Sequence, residues 1–300
     1  MKKRKIVVIG SSNTDLVIKT TRIPSPGETV IGGEFLMTAG GKGANQAVAI
    51  ARLGGDVAFI AKVGRDMFGE SALRGYAADG IDTGTIERDG SAPSGVALIT
   101  VDAHGENCIV VAPGANNTLT TADIDRHRDL ICSAEYLLMQ LEIPMEVVEY
   151  AAEMAEAHGV KVILNPAPAA PLSQRLMRKL YLITPNLGES QLITGINIDH
   201  PAETERVAEV LLEMGAKAAI ITLGSGGALI RTHTECDLIN AEKVVAIDTT
   251  AAGDVFSGAL VVALSEGKGL VDAARFATHA AAISVTRMGA QSSIPYRKDF

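Results

Sequence analysis

An aspartate at the start of a predicted helix, preceded by a turn of small residues, is the part of this sequence most suited to chemistry. Residues 248–254 read Asp-Thr-Thr-Ala-Ala-Gly-Asp and follow an apolar run at 244–247, which we predict to be a buried strand. Residues 255–264 are small and apolar, and they predict a packed helix. The turn therefore presents the unpaired N–H groups of a helix N-terminus to an anion.

Two interpretations fit Asp254, which lies in the first turn of that helix. Its carboxylate is placed to accept a proton from a bound hydroxyl, and an anion site beside such a base suits phosphoryl transfer to an alcohol. Alternatively, the aspartate only stabilises the helix through the macrodipole. The seven residues alone do not decide between a catalytic and a structural role.

The composition indicates a soluble globular protein and argues against several functions. The chain has 300 residues, of which 47% are hydrophobic and 21% charged, so a substantial core is expected. The net charge of −8 argues against nonspecific binding to nucleic acid or to an anionic membrane. Cys108, Cys132 and Cys236 form neither a metal-ligand pattern nor a disulfide framework, so we expect a cytoplasmic protein. The apolar run after the basic start at 1–5 is too short for a signal peptide or a membrane span.

Strands and helices alternate along most of the chain, which predicts an α/β body with a parallel sheet. An apolar strand at 5–10 opens the pattern, but no dinucleotide-binding glycine motif follows it. No repeat, low-complexity tract or linker divides residues 1–300, so we expect a single domain.

Two segments depart from this alternation, at about 14–39 and 93–112. The prolines at 24 and 26 exclude a crossover helix from the first segment. Strand-like residue types occur in four stretches, at 29–31, 35–38, 94–101 and 107–112. We therefore predict a small β-sheet that projects from the body as a lid.

Polar residues follow many of the predicted strands. They are Asn13, Asp15, Glu142, Asn186, Thr222 and Asp254. Because the carboxyl ends of parallel strands meet at one edge of a sheet, these side chains predict an active site there. For two pairs a structural alternative stays open: Asn13 and Asp15 could form an Asx turn, and Asn186 with Glu189 could form a capping box.

Two glycine-rich turns add candidates. Residues 39–46 precede a helix that ends near Gly54, and their Lys42 and Asn45 favour a ligand site. This is not a P-loop, because Gly43 stands where Ser or Thr would follow the lysine. Residues 224–227 form either a hairpin turn or a surface against which a nucleotide packs.

Several of these segments together resemble the ribokinase family, within the phosphofructokinase-B superfamily of sugar and nucleoside kinases. Its two signatures are similar to residues 40–47 and 248–258 of this chain. Shorter matches follow the family order at 138–142, 165–169, 184–186, 221–225 and 285–291. The resemblance implies a three-layer α/β/α sandwich with a mainly parallel central sheet and a small projecting β-sheet lid.

The resemblance also implies roles for individual residues. Asp254 would be the catalytic base, and the N–H groups of Ala252, Gly253 and Asp254 would form the anion hole. The sugar would be held by Asn13, Asp15, Gly41, Lys42, Asn45 and Glu142, with Asp254. Asn186 and Glu189 would position phosphate and Mg²⁺ through water. The remaining nucleotide site would comprise Thr222, Gly224, Ser225, Gly227, Gly253 and His279. A K⁺ site would comprise Asp248, Thr250, Ser284, Arg287, Gly289 and Ser293.

We therefore expect ATP-dependent phosphorylation of D-ribose at the 5-hydroxyl. Deoxyribose, another pentose or ketose, or a nucleoside are alternative substrates within the family. A module that senses sugar and nucleotide without turnover also fits the fold, but the intact base and anion hole argue against it.

The predicted lid also suggests a homodimer. A sheet this small needs cover for its apolar side chains. They include Val30, Ile31, Phe35, Met37, Val96, Leu98, Ile109 and Val111. Pairing of two lids across a two-fold axis would provide that cover, and the resemblance implies the same arrangement.

Overall fold

A nine-stranded sheet with helices on both faces forms the body of the protein, and a separate four-stranded sheet projects from it. The structure is a computed structural model that describes residues 5–198 and 200–300. Most of the basic start, residues 1–4, lies outside the described residues. The three-layer α/β/α architecture with a small additional sheet is the fold that the sequence predicted.

The strands of the large sheet are β1 Lys5–Ile9, β4 Asp56–Gly64, β5 Ile86–Asp89, β8 Tyr136–Met139, β9 Lys161–Leu164, β10 Leu180–Ile183, β11 Ala218–Thr222, β12 Ala228–Thr232 and β13 Cys236–Ile239. Those of the small sheet are β2 Asn13–Lys19, β3 Glu34–Gly40, β6 Gly95–Val101 and β7 Asn107–Ala112. The helices are α1 Lys42–Arg52, α2 Met67–Ala78, α3 Thr121–Arg126, α4 Arg128–Cys132, α5 Met145–Ala157, α6 Gln174–Met177, α7 Leu187–Thr194, α8 Pro201–Glu213, α9 Ala252–Ser265 and α10 Leu270–Ser284.

The large sheet is mainly parallel. Its order is β13-β12-β11-β10-β9-β8-β1-β4-β5, and every neighbouring pair from β11 to β5 is parallel. Strands β12 and β13 continue it as an antiparallel hairpin. Parallel strands bring their carboxyl ends to one edge, so the loops after β1, β8, β9, β10 and β11 lie side by side.

Alternation along the strands creates one core on each face of the sheet. In β1, Ile6 and Val8 pack into a core with α1, α2, α9 and α10. Val7 and Ile9 point to the opposite face and pack with α3, α5 and α8. All four side chains are fully buried, which is why this strand reads as an uninterrupted apolar run.

The small sheet has the order β3-β2-β6-β7 and two distinct faces. Asp15 aligns with Ala97, which pairs with Val111, and Ile109 lies two residues before Val111 in the same strand. The pairing register therefore places Asp15 and Ile109 on the same face, which is directed toward the body loops. The opposite, outer face carries large exposed apolar side chains. They are Ile18, Phe35, Met37, Leu98 and Val110.

Three predictions of local structure were wrong. Residues 244–247 form no strand and Val245 is 85% exposed, because this apolar run crosses the surface beside a cavity instead of entering the sheet. Residues 29–31 also lie outside the sheet, and Ile31 is 95% exposed. The strand that begins at Asn13 was missed, since its polar first residues suggested a turn.

The apolar face predicted for dimerisation also needs correction. Val30 and Ile31 are not in the sheet, and Ile109 and Val111 lie on the face opposite to Leu98. In the part of the chain that the structure describes, no helix is both long and apolar enough to cross a membrane.

Candidate active site

Helices α1 and α9 meet at the carboxyl edge of the large sheet, and their contact positions the central residues of the site. They approach closely because Gly258 has no side chain: a Cβ atom there would lie 2.7 Å from the Cβ of Ala49. This packing brings the first turns of the two helices together. The polar residues near the start of α1 therefore reach the aspartate at the start of α9.

Asp254 is only 5% exposed, and both of its carboxylate oxygens accept hydrogen bonds from α1. Asn45 Nδ2 donates to Oδ2 at 2.9 Å, and Gln46 Nε2 donates to Oδ1 at 3.0 Å. Burial raises the pKa of Asp254, while Lys42 and the two amides oppose that rise. A buried aspartate with an elevated pKa is suited to act as a proton acceptor.

Lys42 is the cation of this cluster. Burial lowers the pKa of its ammonium group, but attraction to Asp254, Glu142, Glu189 and Asp15 outweighs that effect and leaves the pKa raised. The lysine is therefore charged at neutral pH. One cation thus faces four carboxylates contributed by different elements, an arrangement that favours binding of hydroxyl-rich or metal-bound ligands.

Glu142 lies just after β8 and is held against the start of α1. Its Oε2 accepts from Ser11 Oγ at 2.5 Å and from the backbone N–H of Lys42 at 3.0 Å. Gly41 makes this approach possible, since its φ is +89° and a Cβ atom there would lie 2.7 Å from the backbone nitrogen of Asn13. The close approach at Gly41 therefore brings together predicted sugar-site residues from three parts of the chain: Asn13, Lys42 and Glu142.

Asn116 was missed by the sequence analysis, yet it orders the predicted sugar-binding residue Asn13. Its Oδ1 accepts from the backbone N–H of Ser12 at 2.8 Å, and its Nδ2 donates to Asn13 Oδ1 at 2.7 Å. The nearby Gly95 must lack a side chain, because a Cβ atom would lie 2.2 Å from Asn13 Oδ1. The start of the small sheet is therefore fixed to the body at this point, and the Asx-turn alternative for Asn13 is not adopted.

Asp15 extends from β2 toward the same cluster. Burial and the neighbouring Glu142 and Asp254 raise its pKa to about 6, despite the opposing effect of Lys42. Gly40 in the paired strand accommodates the carboxylate, because a Cβ atom there would lie 2.2 Å from Asp15 Oδ2.

A polar cavity of about 210 Å³ lies at the N-terminus of α9, and Asp254 is part of its lining. Lys42, Asn165, Thr184 and Gly253 are among its lining residues. The N–H groups in the first turn of a helix have no intrahelical partner and attract anions. That of Ala252 donates to the carbonyl of Thr249 at 3.2 Å, which leaves Gly253 and Asp254 as the expected anion donors.

Asn186 and Glu189 form the capping box that the sequence left as an alternative, and they also line this cavity. The backbone N–H of Asn186 donates to Glu189 Oε2 at 2.8 Å, and Asn186 Oδ1 accepts from the N–H of Glu189 at 2.8 Å. Burial raises the pKa of Glu189, with Lys42 opposing. Asn186 and Glu189 therefore form the capping box and remain in the wall of the cavity.

A second, mostly apolar cavity of about 440 Å³ adjoins the first and shares Thr222, Thr249, Ala252 and Gly253 with it. Of the predicted nucleotide-site residues, its lining includes Thr222, Gly224, Ser225, Gly227 and Gly253. His279 is not among the lining residues, and its Nδ1 contacts Glu242 at 2.6 Å. The preceding Thr278 lines the cavity instead, and within the described ranges its buried hydroxyl has no hydrogen-bond partner.

The candidate K⁺-site residues form a linked pair of loops outside both cavities. Asp248 Oδ1 accepts from the backbone and hydroxyl of Thr250 at 2.9 and 2.6 Å, and Oδ2 accepts from the N–H of Gly289 at 2.8 Å. The hydroxyls of Ser284 and Ser293 donate to local carbonyls. The Arg287 guanidinium is directed to Asp299 at 3.1 Å, so only its backbone is available to the loop.

Comparison with known proteins relates this geometry to a family. The model of "pfkB family carbohydrate kinase" matches residues 3–297. The chain belongs to this family. A ribokinase of Haemophilus influenzae is 43% identical over 297 residues, covering 99% of this chain and 97% of that protein.

Two solved structures agree with the assignment. A ribokinase from Thermotoga maritima is 41% identical with a TM-score of 0.90, and the match covers 99% of this chain and 97% of that one. An Arabidopsis thaliana ribokinase complexed with ribose and ATP is 29% identical with a TM-score of 0.91, with the same coverage.

The ionisation of Asp15 gives a prediction for stability. Its folded-state pKa is about 6 against an ordinary value of 3.8, so its contribution to stability is fully present below 3.8 and is lost as the pH rises through about 6. Above that pH the ionised carboxylate destabilises the ligand-free protein. We therefore expect Asp15→Asn to raise the free energy of unfolding at about pH 8 by on the order of 1 to 3 kcal/mol.

Thermal or denaturant unfolding between about pH 4 and about pH 8 measures this effect. The gain should shrink toward the acid end, where Asp15 is protonated in both folded and unfolded chains. The exposed Asp237 in β13 supplies the matched control, Asp237→Asn. An Asp15→Asn gain that is absent at pH 8, or equal at every pH, would contradict the assignment.

Proposed function

We propose that this protein transfers the γ-phosphoryl group of ATP to the 5-hydroxyl of D-ribose, giving ribose 5-phosphate and ADP. The observation that carries the proposal is the position of Asp254. Its buried carboxylate is held by Asn45 and Gln46 of α1 and lines the cavity at the N-terminus of α9 together with Lys42. An acceptor alcohol on one side and a phosphoryl group on the other would both be within reach of that carboxylate.

In the reaction, Asp254 accepts the proton of the 5-hydroxyl as the sugar oxygen bonds to the γ-phosphorus. The bond from that phosphorus to the oxygen bridging the β-phosphate breaks, and ADP leaves with the electron pair. The N–H groups of Gly253 and Asp254 stabilise the negative charge on the transferred group. Lys42 lines the same cavity and adds a positive charge.

The sugar hydroxyls are held by the acceptors and donors on the opposite side of Asp254. Asn45 is suited to this role because its Oδ1 is buried and has no hydrogen-bond partner among the residues that the structure describes. Asn13, Asp15 and Glu142 supply further oxygens, and the amide of Asn116 fixes the orientation of Asn13. Gly41 lets the ligand approach the backbone of α1.

ATP occupies the two adjoining cavities, with its phosphates at α9 and its base in the apolar part. Gly224, Ser225 and Gly227 form one wall of the apolar part. Thr278 replaces His279 in our assignment, because an unpaired hydroxyl in that wall is available to a base nitrogen.

Mg²⁺ is proposed to accompany ATP. Oxygen ligands suit this ion, and it is usually held by substrate phosphates and few protein groups. Asn186 and Glu189 offer such oxygens at the cavity wall. Among residues 5–198 and 200–300 no cluster of three or more acidic, histidine or cysteine residues could hold a metal alone. When bound, Mg²⁺ neutralises charge on the transferred phosphoryl group.

A monovalent cation is proposed for the two loops joined by Asp248. These loops, 248–250 and 284–293, supply hydroxyl and carbonyl oxygens close in sequence to the anion donors of α9. Asp248 joins them through its hydrogen bonds to Thr250 and Gly289, and these bonds lower its pKa despite partial burial. A K⁺ ion bound there would order the turn that precedes Ala252.

The whole chain is proposed to work as one domain with the small sheet as a lid, in the cytoplasm and as a homodimer. The three cysteines are free, which supports a reducing compartment. The outer face of the lid supports dimerisation, because Phe35, Leu98 and Val110 expose a contiguous apolar surface there. A second copy would cover this surface while the inner face stays directed to the sugar.

The proposed reaction predicts ADP release that depends on the acceptor sugar. With ATP and Mg²⁺, we expect kcat/KM to be highest for D-ribose among ribose, deoxyribose, fructose and adenosine. Asp254→Asn should lower kcat by about 10² to 10⁴ while sugar and nucleotide still bind, because an amide cannot accept the hydroxyl proton.

A coupled assay for ADP measures turnover, and calorimetry separately measures the binding of sugar and nucleotide. A higher kcat/KM with another acceptor would replace ribose as substrate without removing the kinase mechanism. An Asp254→Asn variant within a few-fold of the wild-type kcat would exclude Asp254 as the base.

The cation proposal predicts that K⁺ raises activity relative to Na⁺ or a bulky organic cation at constant ionic strength. The expected effect is on kcat/KM, because an ordered turn presents the anion donors without reorganisation. Equal kcat/KM in the three salts would argue against a monovalent-cation site.

The dimer proposal predicts a mass twice that of the chain in light scattering at micromolar concentration. Leu98→Glu on the outer face of the lid should dissociate the dimer, because pairing would bury an uncompensated charge. Leu192→Glu on α7 is a matched control, since Leu98 and Leu192 are 55% and 51% exposed. A monomeric wild type, or dissociation by both variants alike, would contradict pairing through the lid.

A further inference from the structure

Gln46 is a fully buried residue of α1 that contacts Asp254 without reaching either cavity. Its Nε2 donates to Asp254 Oδ1 at 3.0 Å and to Asn165 Oδ1 at 3.1 Å, and its Oε1 accepts from Gln140 Nε2 at 2.5 Å. All three polar positions of this amide are therefore used. Gln140 and Asn165 follow β8 and β9, so the amide joins α1 to two strand ends and to α9.

The orientation of the Gln46 amide is fixed by groups that can only accept hydrogen bonds. Asp254 Oδ1 accepts from Nε2, which is the contact that an ionised carboxylate requires. At the other end, Asn165 Nδ2 donates to the backbone carbonyl of Thr184 at 2.9 Å, which directs Asn165 Oδ1 toward Gln46. A flipped Gln46 would place its oxygen against two acceptors. The network therefore matches the ionised form of Asp254 and opposes protonation at Oδ1.

We infer that Gln46 is a positioning residue for Asp254: its amide anchors Oδ1 and keeps the carboxylate ionised and oriented toward the acceptor hydroxyl. The inference rests on the proposed role of Asp254 as base. Asn45 holds the other oxygen, Oδ2, and also has an oxygen available to the sugar. Gln46 lines neither cavity, so its substitution alters the contact with Asp254 without removing a group that lines a cavity, although its hydrogen bonds to Asn165 and Gln140 change as well.

The hydrogen bond from Gln46 lowers the pKa of Asp254 against the larger effect of burial. Other charged groups also act on this carboxylate from the elements packed around it: Lys42 of α1, Glu142 after β8, Asp15 of β2 and Glu189 of α7. These groups are unchanged in a Gln46 variant. A difference in the pH profile between wild type and variant therefore reports the contact with Gln46.

The test measures kcat and KM for ribose between about pH 5 and about pH 9 in Gln46→Glu, Gln46→Met and wild type. Gln46→Glu keeps the shape but places a second carboxyl group against Asp254, and such a pair retains a shared proton. We expect its acid limb of kcat to move up by at least about one pH unit. At neutral pH kcat should fall about tenfold or more, recover toward high pH, and leave KM within a few-fold of wild type.

Gln46→Met removes the donor without adding charge, and it should shift the acid limb in the same direction by less. Gln174→Glu, at an exposed position in α6, controls for the added charge and should retain the wild-type profile. If Gln46→Glu does not fold, the methionine variant alone decides the question.

The folded variants could instead show the same acid limb of kcat as wild type and a lower Tm. That result would mean that Gln46 only packs in the core and does not position Asp254. Asp254→Asn separates this failure from failure of the proposed function. If Asp254→Asn is inactive while the pH profiles of the Gln46 variants are unshifted, Asp254 is kept as the base and the positioning role of Gln46 is rejected. If Asp254→Asn is active, both assignments are rejected.

Discussion

A buried carboxylate must be supplied with hydrogen-bond donors, and this requirement explains much of the structure around Asp254. Desolvation disfavours the charged form, so a buried carboxylate needs donors that the fold places beside it. They come from Asn45 and Gln46 on a neighbouring helix. That helix can come close enough only because Gly258 and Ala49 face each other at the crossing. The small residues of α1 and α9 are thus a condition for the polar site as well as for the core.

The same site gathers more negative charge than its single lysine can balance. Asp15, with a pKa raised to about 6, is held in the ionised form at neutral pH at the expense of stability. A lower charge density would make the fold more stable, but it would also remove the acceptors proposed for sugar hydroxyls. The cluster is therefore better matched to the bound state than to the empty one. This is the usual relation between stability and activity in a site built for a polar ligand.

The sequence predicted the body of the fold because the relevant signals are local. Strands such as β1 and caps such as Asn186 depend on a few adjacent residues. Residues 244–247 were misassigned because an apolar run has the same appearance in a buried strand and beside an apolar cavity. The site was predictable where a motif or a strand end marked it.

Gln140, Asn165 and Asn116 were not predicted, because they have partners that are distant in the chain. Asn116 contacts Ser12 across 104 positions, for example. No spacing within a single element indicates such a contact. The two alternatives for Asn186 and Glu189 were also not exclusive, since the capping box itself lies in the cavity wall.

The turn before α9 holds a strained backbone conformation beside the proposed anion site. Ala251 has a φ of +61° and is, within the described ranges 5–198 and 200–300, the one residue other than glycine with positive φ. For an L-residue with a Cβ atom this conformation costs about 1 to 2 kcal/mol. The strain persists because both flanks are fixed. Asp248 ties the preceding loop to Gly289, and Val255 donates to the carbonyl of Ala251 at 2.9 Å as the helix begins. Such strain held at a helix N-terminus is consistent with a phosphate site that needs little reorganisation when the ligand binds.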